Sequence, residues 1–208
     1  MNHRIKIIPN FINDEDCETA IRMIDKFDSK DKLEEFNASM DVLVVPENIP
    51  DGIKIIKKYS DKILEEHRKE WGFVSNLYTT EGWLSLWESG RSTGVHSDAH
   101  DDYEFLIFAT VLYLNDSNDY GGGEIYFPNQ EFSYHPKKGD AVIFPCGGQE
   151  YAHGVGTVLY GRRYTIPMWH TRRPDKASKL FHPGVADLAI PKPNKWIPER
   201  TDLKEQQF

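Results

Sequence analysis

The sequence predicts an α+β fold, an antiparallel sandwich or jelly roll braced by helices from the N-terminal third. Two observations carry this prediction. Apolar residues recur at helical spacing in two segments before residue 72. After residue 72, short runs rich in β-branched and aromatic residues alternate with clusters of Gly, Pro, Asn and Asp, which is typical of short strands joined by turns. No internal repeat is visible.

The helical third contains two predicted helices and one short strand. Asn13 is placed to cap the first helix, because three acidic residues follow it and favour the positive end of the helix dipole. Pro50 opens the second helix, and Gly72 ends it. A strand over Met40–Val45 is stopped by Pro46. We expect both helices to pack on one face of the sheet.

The remaining two thirds contain the predicted strands and a distinct C-terminal segment. Asn118–Gly123 reads as a loop by composition. Residues 171–208 hold five prolines and little periodicity, so they predict an extended tail or lid with apolar anchors such as Phe181 and Trp196. The expected strands are Leu84–Glu88, Phe105–Leu114, Glu124–Phe127, Ala141–Phe144, Gly154–Leu159 and Arg163–Trp169.

Charge and cysteine content limit the classes of function. The 208 residues include 25 Lys and Arg against 33 Asp and Glu, a net charge of −8, which argues against nucleic acid or an anionic membrane as the main partner. Two cysteines are too few for a disulfide framework, and we find neither a signal peptide nor an apolar run of membrane-spanning length. We therefore expect a cytoplasmic protein, and the sequence leaves its oligomeric state open.

Three residues have the pattern of a metal site. His96 and Asp98 stand two apart, so an extended backbone would point both side chains the same way. His153 follows 55 residues after Asp98, at the start of a predicted strand. Two histidines and one carboxylate form the facial triad of non-haem Fe(II) oxygenases. The His-x-Asp pair alone also fits a surface histidine beside an acidic loop, so its context matters.

The context is a predicted strand that starts with Arg163. Arg163 and Thr165 share one face of this strand, and a buried guanidinium beside a hydroxyl can bind a carboxylate with two hydrogen bonds. Tyr113 could add a phenol to the same carboxylate. Taken singly, Tyr113 and Trp169 also fit plain aromatic core positions.

The order of these motifs resembles one enzyme family. From Trp83 to Trp169 the chain is similar to the double-stranded β-helix core of prolyl 4-hydroxylase-like Fe(II)- and 2-oxoglutarate-dependent dioxygenases. The resemblance is carried, in order, by His96-x-Asp98, Tyr113-Leu114-Asn115-Asp116, Gly122-Gly123-Glu124-Ile125-Tyr126-Phe127-Pro128, Pro136 to Phe144, His153-Gly154-Val155, and Arg163 with Trp169.

The resemblance implies both roles and cofactors. His96, Asp98 and His153 would bind Fe(II). Arg163 would bind the distal carboxylate of the co-substrate 2-oxoglutarate, with help from Tyr113 and Thr165, and Trp169 would line the wall beside it. O2 is the second co-substrate, ascorbate is a candidate reductant, and succinate and CO2 are the by-products.

The implied reaction is hydroxylation of a prolyl residue in a peptide or protein, by a single catalytic domain over residues 1–170. Helices would support it over residues 1–72, and the jelly-roll core would span 73–170. The same chemistry on a free amino acid, nucleotide or other small molecule stays open, as does a non-catalytic jelly-roll binding module. Trp87 and Thr93 stand where family members often carry tyrosine, which leaves the details of co-substrate binding and the substrate-binding residues undetermined.

Overall fold

The computed structural model describes residues 4–26, 42–44, 50–71 and 76–185. Gly72, predicted to end the second helix, and Trp196, a predicted tail anchor, lie outside these ranges. The helices are α1 (Asp14–Asp25) and α2 (Pro50–Trp71). The strands are β1 (Lys6–Ile8), β2 (Val42–Val44), β3 (Tyr78–Gly82), β4 (Leu84–Glu88), β5 (Thr93–His96), β6 (Leu106–Tyr113), β7 (Tyr120–Gly122), β8 (Ile125–Phe127), β9 (Phe132–Tyr134), β10 (Ala141–Pro145), β11 (His153–Val155) and β12 (Val158–Thr171).

The strands form two antiparallel sheets. The larger sheet has the order β1-β10-β6-β12-β4-β2, and both β3 and β7 also pair with β12. The smaller sheet has the order β5-β11-β8-β9. This is the double-stranded β-helix, or jelly roll, that the sequence predicts. No helix within the described ranges is both long and apolar enough to cross a membrane.

The N-terminal helix begins where the sequence predicts. The side chain of Asn13 accepts a hydrogen bond of 2.8 Å from the backbone N–H of Asp16, which satisfies one of the free donors of the first turn. The Asp16 carboxylate in turn accepts hydrogen bonds from Lys58 and from the Tyr59 hydroxyl on α2. The first turn of α1 is therefore hydrogen-bonded to side chains of α2.

The central strand β12 separates the two faces of the larger sheet. Tyr164, Ile166 and Met168 point to one face and pack into a core with Ile56 and Ile63 of α2. The alternate residues, which include Arg163, Thr165 and Trp169, line a cavity on the other face. This period-two alternation is the ordinary pleat of a strand. The helices thus brace one face of the sheet, as predicted, and leave the other for the cavity.

Pro167 lies inside β12, a position from which proline is normally excluded because it cannot donate to the ladder. β12 pairs with β4 up to Thr165 and with β3 from Met168 onward, so Pro167 falls at the junction of the two partner strands. Its carbonyl oxygen accepts a hydrogen bond from the backbone N–H of Trp83, which connects β3 to β4. The backbone N–H that proline lacks would therefore lie in the gap between the β12–β4 and β12–β3 pairings, where no ladder hydrogen bond is lost.

Two details of the predicted strands are wrong. The predicted strand Gly154–Leu159 is divided between β11 and the start of β12, with Gly156 and Thr157 between them. The predicted loop Asn118–Gly123 contains the short strand β7, which pairs with the beginning of β12. In addition, β1, β3, β5 and β9 carry too little regular alternation to be read from the sequence.

Part of the segment after β12 packs on the core. Phe181 is buried among the residues that join the helices to the sheet. The backbone N–H of Ser178 donates to the carbonyl of Thr79, and the N–H of Thr79 donates to Nε2 of His182 at 2.8 Å. These contacts fasten residues 178–182 to β3. The lid function of the whole tail stays a prediction.

Buried histidines form a polar network between α2 and the sheet. Nδ1 of His170 hydrogen-bonds the Thr79 hydroxyl at 3.0 Å, and its Nε2 hydrogen-bonds the Thr110 hydroxyl at 3.1 Å. His67 packs against His170, with ring centroids 5.1 Å apart. Burial lowers the pKa of His67 to about 3 and the pKa of His170 well below its usual range. Both rings are therefore neutral in the folded protein.

These lowered pKa values predict acid sensitivity. Between pH 6.5 and 3, His67 is protonated in the unfolded chain but not in the folded chain. The free energy of unfolding is therefore highest above pH 6.5 and decreases as the pH is lowered through this range. Each such histidine contributes about 1.4 kcal/mol per pH unit. We expect His67→Gln to remove the contribution of one histidine from the pH dependence of the unfolding free energy. The measurement is urea denaturation at pH 7 and pH 5.

The control is His135→Gln, which makes the same change at an exposed position. It should leave the pH dependence as in the unchanged protein. Equal slopes for the His67 and His135 variants would contradict the assignment of acid sensitivity to this network.

Candidate active site

A cavity of about 230 Å³ opens on the face of β12 that the helices leave free. Its walls come from both sheets. The larger sheet contributes Trp83, Ser85, Trp87, Ala109, Val111, Phe144, Arg163, Thr165, Pro167 and Trp169 among others, and the smaller sheet contributes Thr93, His96, Ile125, His153 and Val155. Asp98 also lines it. All the sequence-predicted site residues except Tyr113, which lies behind the wall, therefore face one space.

The cavity holds the three predicted metal-binding side chains together. One potential ligand atom from each of His96, Asp98 and His153 lies within 4.8 Å of the others. Nε2 of His96 is 3.5 Å from one Asp98 oxygen, and Nε2 of His153 is 3.9 Å from the other. Sheet register produces this arrangement, because His96 and His153 are directly opposed on β5 and β11.

Backbone carbonyls orient both imidazoles. Nδ1 of His96 lies 2.9 Å from the carbonyl oxygen of Gly94, and Nδ1 of His153 lies 3.3 Å from that of Tyr151. Since a carbonyl only accepts, the hydrogen bond requires a proton on each Nδ1, and it turns each Nε2 toward the shared centre. Hydrogen bonding of the remote ring nitrogen is how metal-binding histidines are usually held.

The charges of the cluster suit a cation. Burial acts to raise the pKa of Asp98, but the hydrogen bond from His96 and the two nearby imidazoles outweigh it, so the pKa lies below its ordinary value and the carboxylate is ionised. Burial lowers the pKa of His153 and keeps that ring neutral. One Asp98 oxygen is buried without a hydrogen-bond partner among the described residues. Asp98 raises the pKa of His96, so a proton there competes with a cation for the same carboxylate. An ionised carboxylate with an unused oxygen beside two imidazoles fits a divalent metal ion.

A second polar centre lies deeper in the cavity, around Arg163. This residue is only 2% exposed, and its Nε donates to the carbonyl of Gly123 at 3.0 Å. The guanidinium lies 5.2 Å from the ring centroids of both Trp87 and Tyr113. No carboxylate pairs with it within the described part of the chain. A buried cation without an anion is costly, so this position fits an anionic ligand.

Two phenols beside Arg163 strengthen that interpretation. The hydroxyls of Tyr113 and Tyr120 are buried and lack a hydrogen-bond partner among the residues described. Burial raises the pKa of both phenols despite the neighbouring guanidinium, so they are neutral donors. Tyr120 was missed at the sequence level because it lies in the predicted loop. Position 123 favours glycine, because a Cβ there would lie 3.0 Å from Cδ of Arg163.

The remaining predicted residues also face the cavity. The Thr165 hydroxyl is 2.6 Å from that of Ser85 on β4, so it already has a partner. The Trp169 indole packs against Trp83 at a tilt of 41°, with ring centroids 4.6 Å apart. The Trp169 side chain is also among the groups that lower the pKa of Asp98. Trp87 packs against the Arg163 guanidinium, and Thr93 lines the opening.

Other histidines do not join the cluster. His100, two residues beyond Asp98, is exposed and lies 3.6 Å from Asp101. His67 and His170 belong to the network on the opposite face of the sheet, and His182 fastens the segment after β12. Arg162 points away from the cavity and pairs with Asp25 and Glu88 at the surface. Arg162 and Arg163 therefore project to opposite faces of β12.

A double-stranded β-helix with two histidines, one carboxylate and a buried arginine in a single cavity is the arrangement of a non-haem Fe(II) oxygenase. Residues 82–171 match the family model of the 2OG-Fe(II) oxygenase superfamily, and the predicted resemblance to its prolyl 4-hydroxylase-like members is confirmed. Enzymes of this superfamily use Fe(II), 2-oxoglutarate and O2.

Individual relatives agree with this placement. Prolyl 3-hydroxylase 3 of Mus musculus is 37% identical over 82 residues, which are 37% of this chain and 11% of that protein. The chain spans between 10% and 15% of the curated prolyl 3-hydroxylases that it matches.

Solved structures agree in fold. The viral collagen prolyl hydroxylase of Paramecium Bursaria Chlorella virus-1 superposes with a TM-score of 0.61 at 19% identity, over 82% of this chain and 96% of that one. A Trichoplax adhaerens prolyl hydroxylase in complex with a hypoxia inducible factor peptide gives 0.61 at 16% identity, over 82% and 84% of the two chains.

The geometry predicts a divalent-metal site that needs His153. A metal that binds only the folded state at 100 times its Kd stabilises it by about 2.7 kcal/mol. We expect Mn(II) or Co(II) to raise the melting temperature of the unchanged protein and to have no such effect on His153→Ala. His100→Ala is the matched control and should respond like the unchanged protein. Loss of the response in the His100 variant alone would refute this ligand set.

Proposed function

We propose that the protein is a Fe(II)- and 2-oxoglutarate-dependent dioxygenase that hydroxylates a prolyl residue in a peptide or protein. One observation carries the proposal. The His96, Asp98 and His153 cluster shares one cavity with the Arg163 guanidinium, which pairs with no carboxylate among the described residues. One centre suits a divalent metal, and the other suits a carboxylate at a distance from it. A dicarboxylic keto acid is a ligand that can occupy both.

Under this proposal His96, Asp98 and His153 hold the metal. Three protein ligands are few enough to leave positions open for co-substrates. When bound, Fe(II) supplies the redox chemistry that couples conversion of 2-oxoglutarate and O2 into succinate and CO2 to conversion of a substrate C–H into C–OH. The protein's own contribution is to keep Asp98 ionised through the neighbouring histidines and to turn both Nε2 atoms toward the metal position through the backbone carbonyls.

Arg163 would orient the co-substrate. Its guanidinium can donate two parallel hydrogen bonds to the distal carboxylate of 2-oxoglutarate, and the phenols of Tyr113 and Tyr120 are placed to donate to the same group. The apolar walls formed by Trp87, Val111 and Ile125 exclude water and strengthen these interactions. Thr165, held by Ser85, and Trp169 complete the wall.

The prolyl substrate is supported by the relatives rather than by the metal site. The curated matches are prolyl 3-hydroxylases, and the structures of similar fold include prolyl hydroxylases, one with a bound peptide. A free amino acid, a nucleotide or another small molecule would use the same metal and co-substrate centres.

The direct test is to measure succinate release with and without proline-containing peptides, together with a 16 Da mass increase of the peptide. We expect peptide-dependent succinate and stoichiometric hydroxylation, both abolished in His96→Ala. Unchanged turnover in that variant would contradict the metal site. Absence of both metal binding and succinate release in the unchanged protein would favour a non-catalytic binding module instead.

Arg163 and Arg162 provide a matched pair for the co-substrate site. We expect Arg163→Gln to weaken 2-oxoglutarate binding, measured calorimetrically with Mn(II), by roughly 100-fold, because charge-assisted hydrogen bonds contribute about 1.5–3 kcal/mol each. Arg162→Gln removes the same charge on the outer face and breaks only exposed ion pairs, so 2-oxoglutarate affinity should stay within about twofold. Equal losses in both variants would point to a general charge effect.

A further inference from the structure

We propose that Glu81, beside the adjacent indoles of Trp83 and Trp169, forms a cation subsite that selects peptides with a lysine or arginine next to the hydroxylated residue. Glu81 would then determine the sequence specificity of the proposed prolyl hydroxylase, so this inference rests on the proposed function. Trp83 and Trp169 line the cavity, and Glu81 lies beside them on β3.

Sheet register places Glu81 on the cavity face. In the β3–β12 pairing Glu81 is directly opposite Trp169, and directly opposed residues project to the same side of a sheet. Trp169 lines the cavity. The next residue, Gly82, lies against Ile56 and Met168 on the helical face. Burial and the nearby charge of Asp98 both raise the pKa of Glu81, which agrees with a carboxyl close to the metal cluster.

Glu81 lacks the partners that Asp16, which is partly buried, and Asp140, which is fully buried, both have. Asp16 is paired with Lys58 and Tyr59, and Asp140 accepts from Tyr134 and from the backbone of Lys137. Within the described ranges, no cation or hydrogen-bond donor contacts the Glu81 carboxylate. A partly desolvated carboxylate without a partner gains free energy when a cation from outside binds it.

The two indoles complete a site for a cation on a long aliphatic stem. Trp83 follows Glu81 by two residues, and its ring centroid is 4.6 Å from that of Trp169. Indole faces attract ammonium and guanidinium groups, and they also pack against the methylene stems of lysine and arginine. Because Trp169 and Asp98 line the same cavity, a cation held beside Trp169 would lie within reach of a peptide bound at the metal cluster. The recognised group therefore belongs to a neighbour of the hydroxylated residue.

The experiment compares peptides that differ only at the residues flanking the target proline. Lys, Arg, Gln or Glu is placed one or two positions to either side, and KM and kcat are measured by succinate release and peptide mass. We expect Lys and Arg peptides to have a KM roughly 10- to 100-fold below that of the Gln peptide, with kcat changed much less. Glu81→Gln should abolish this preference, and Glu81→Lys should favour the Glu peptide.

The controls separate this inference from general charge effects. Glu65→Gln removes the same charge from the exposed face of α2 and should keep the full preference for Lys and Arg. Free lysine and peptides with acetylated N-termini test the other sources of an ammonium group. Glu81-dependent selectivity that disappears on N-terminal acetylation would overturn the assignment to a side chain.

Failure of the inference and failure of the proposed function give different results. If no peptide stimulates succinate release by the unchanged protein, the proposed function fails. If peptides are hydroxylated but KM is independent of the flanking charge, or if the Lys preference survives in Glu81→Gln, only the cation subsite is overturned. Thermal melting of the Glu81 and Glu65 variants confirms that each is folded before its kinetics are compared.

Discussion

The alternation of side chains along β12 is the constraint on which the rest of the structure depends. The strand pairs with β3, β4, β6 and β7, which are four of the seven other strands of the larger sheet. Its even-numbered residues from Tyr164 to Met168 join the core beneath the helices, and its odd-numbered residues from Arg163 to Trp169 form the cavity. A slip of one residue would exchange the two sets and remove both core and site.

The cavity carries free-energy costs that the core on the other face must offset. It contains a buried guanidinium without a carboxylate, two buried phenols without hydrogen-bond partners among the described residues, and an ionised Asp98 with an unused oxygen. Each costs stability in the free protein, and each becomes favourable when a complementary ligand arrives. Polar groups on the helical face differ, since the hydroxyls of Ser60, Thr79 and Thr110 bond with one another or with histidine. Most of the buried polar groups that lack a hydrogen-bond partner among the described residues therefore lie at the cavity, where ligands are expected.

Much of this arrangement could be predicted from sequence, because it depends on local patterns. The Asn13 cap and the strand Leu84–Glu88 are confirmed as predicted, and β6, β8 and β10 are found within about one residue at either end. The proximity of His96, Asp98 and His153, and the inward Arg163 with the outward Arg162, followed from spacing and from the family resemblance. Only Arg163 of this set lies on a predicted strand with a period of two, whereas the proximity of the three metal-binding candidates depended on the spacing of His96 and Asp98 and on the family resemblance.

The rest depended on contacts between distant segments. Tyr120 sits in a glycine-rich stretch whose composition indicates a loop, and only pairing with β12 turns it toward Arg163. The ring of His67 is fully buried against the sheet, and the sequence around it does not show which residues of the sheet it contacts. Glu81 belongs to a strand with no regular alternation, so its position opposite Trp169 becomes visible only with the sheet register. Long-range pairing, unlike local propensity, is not encoded in any short window of the chain.

The two imidazoles of the metal cluster are oriented by the same local device. Each Nδ1 hydrogen-bonds the carbonyl oxygen two residues earlier on its own segment, Gly94 for His96 and Tyr151 for His153. Main-chain carbonyls are present whatever side chains surround them. The orientation of both imidazole rings is therefore independent of which residues line the cavity. In evolutionary terms, such a centre can keep its chemistry while the lining residues change. Substrate preference could then diverge without rebuilding the catalytic machinery.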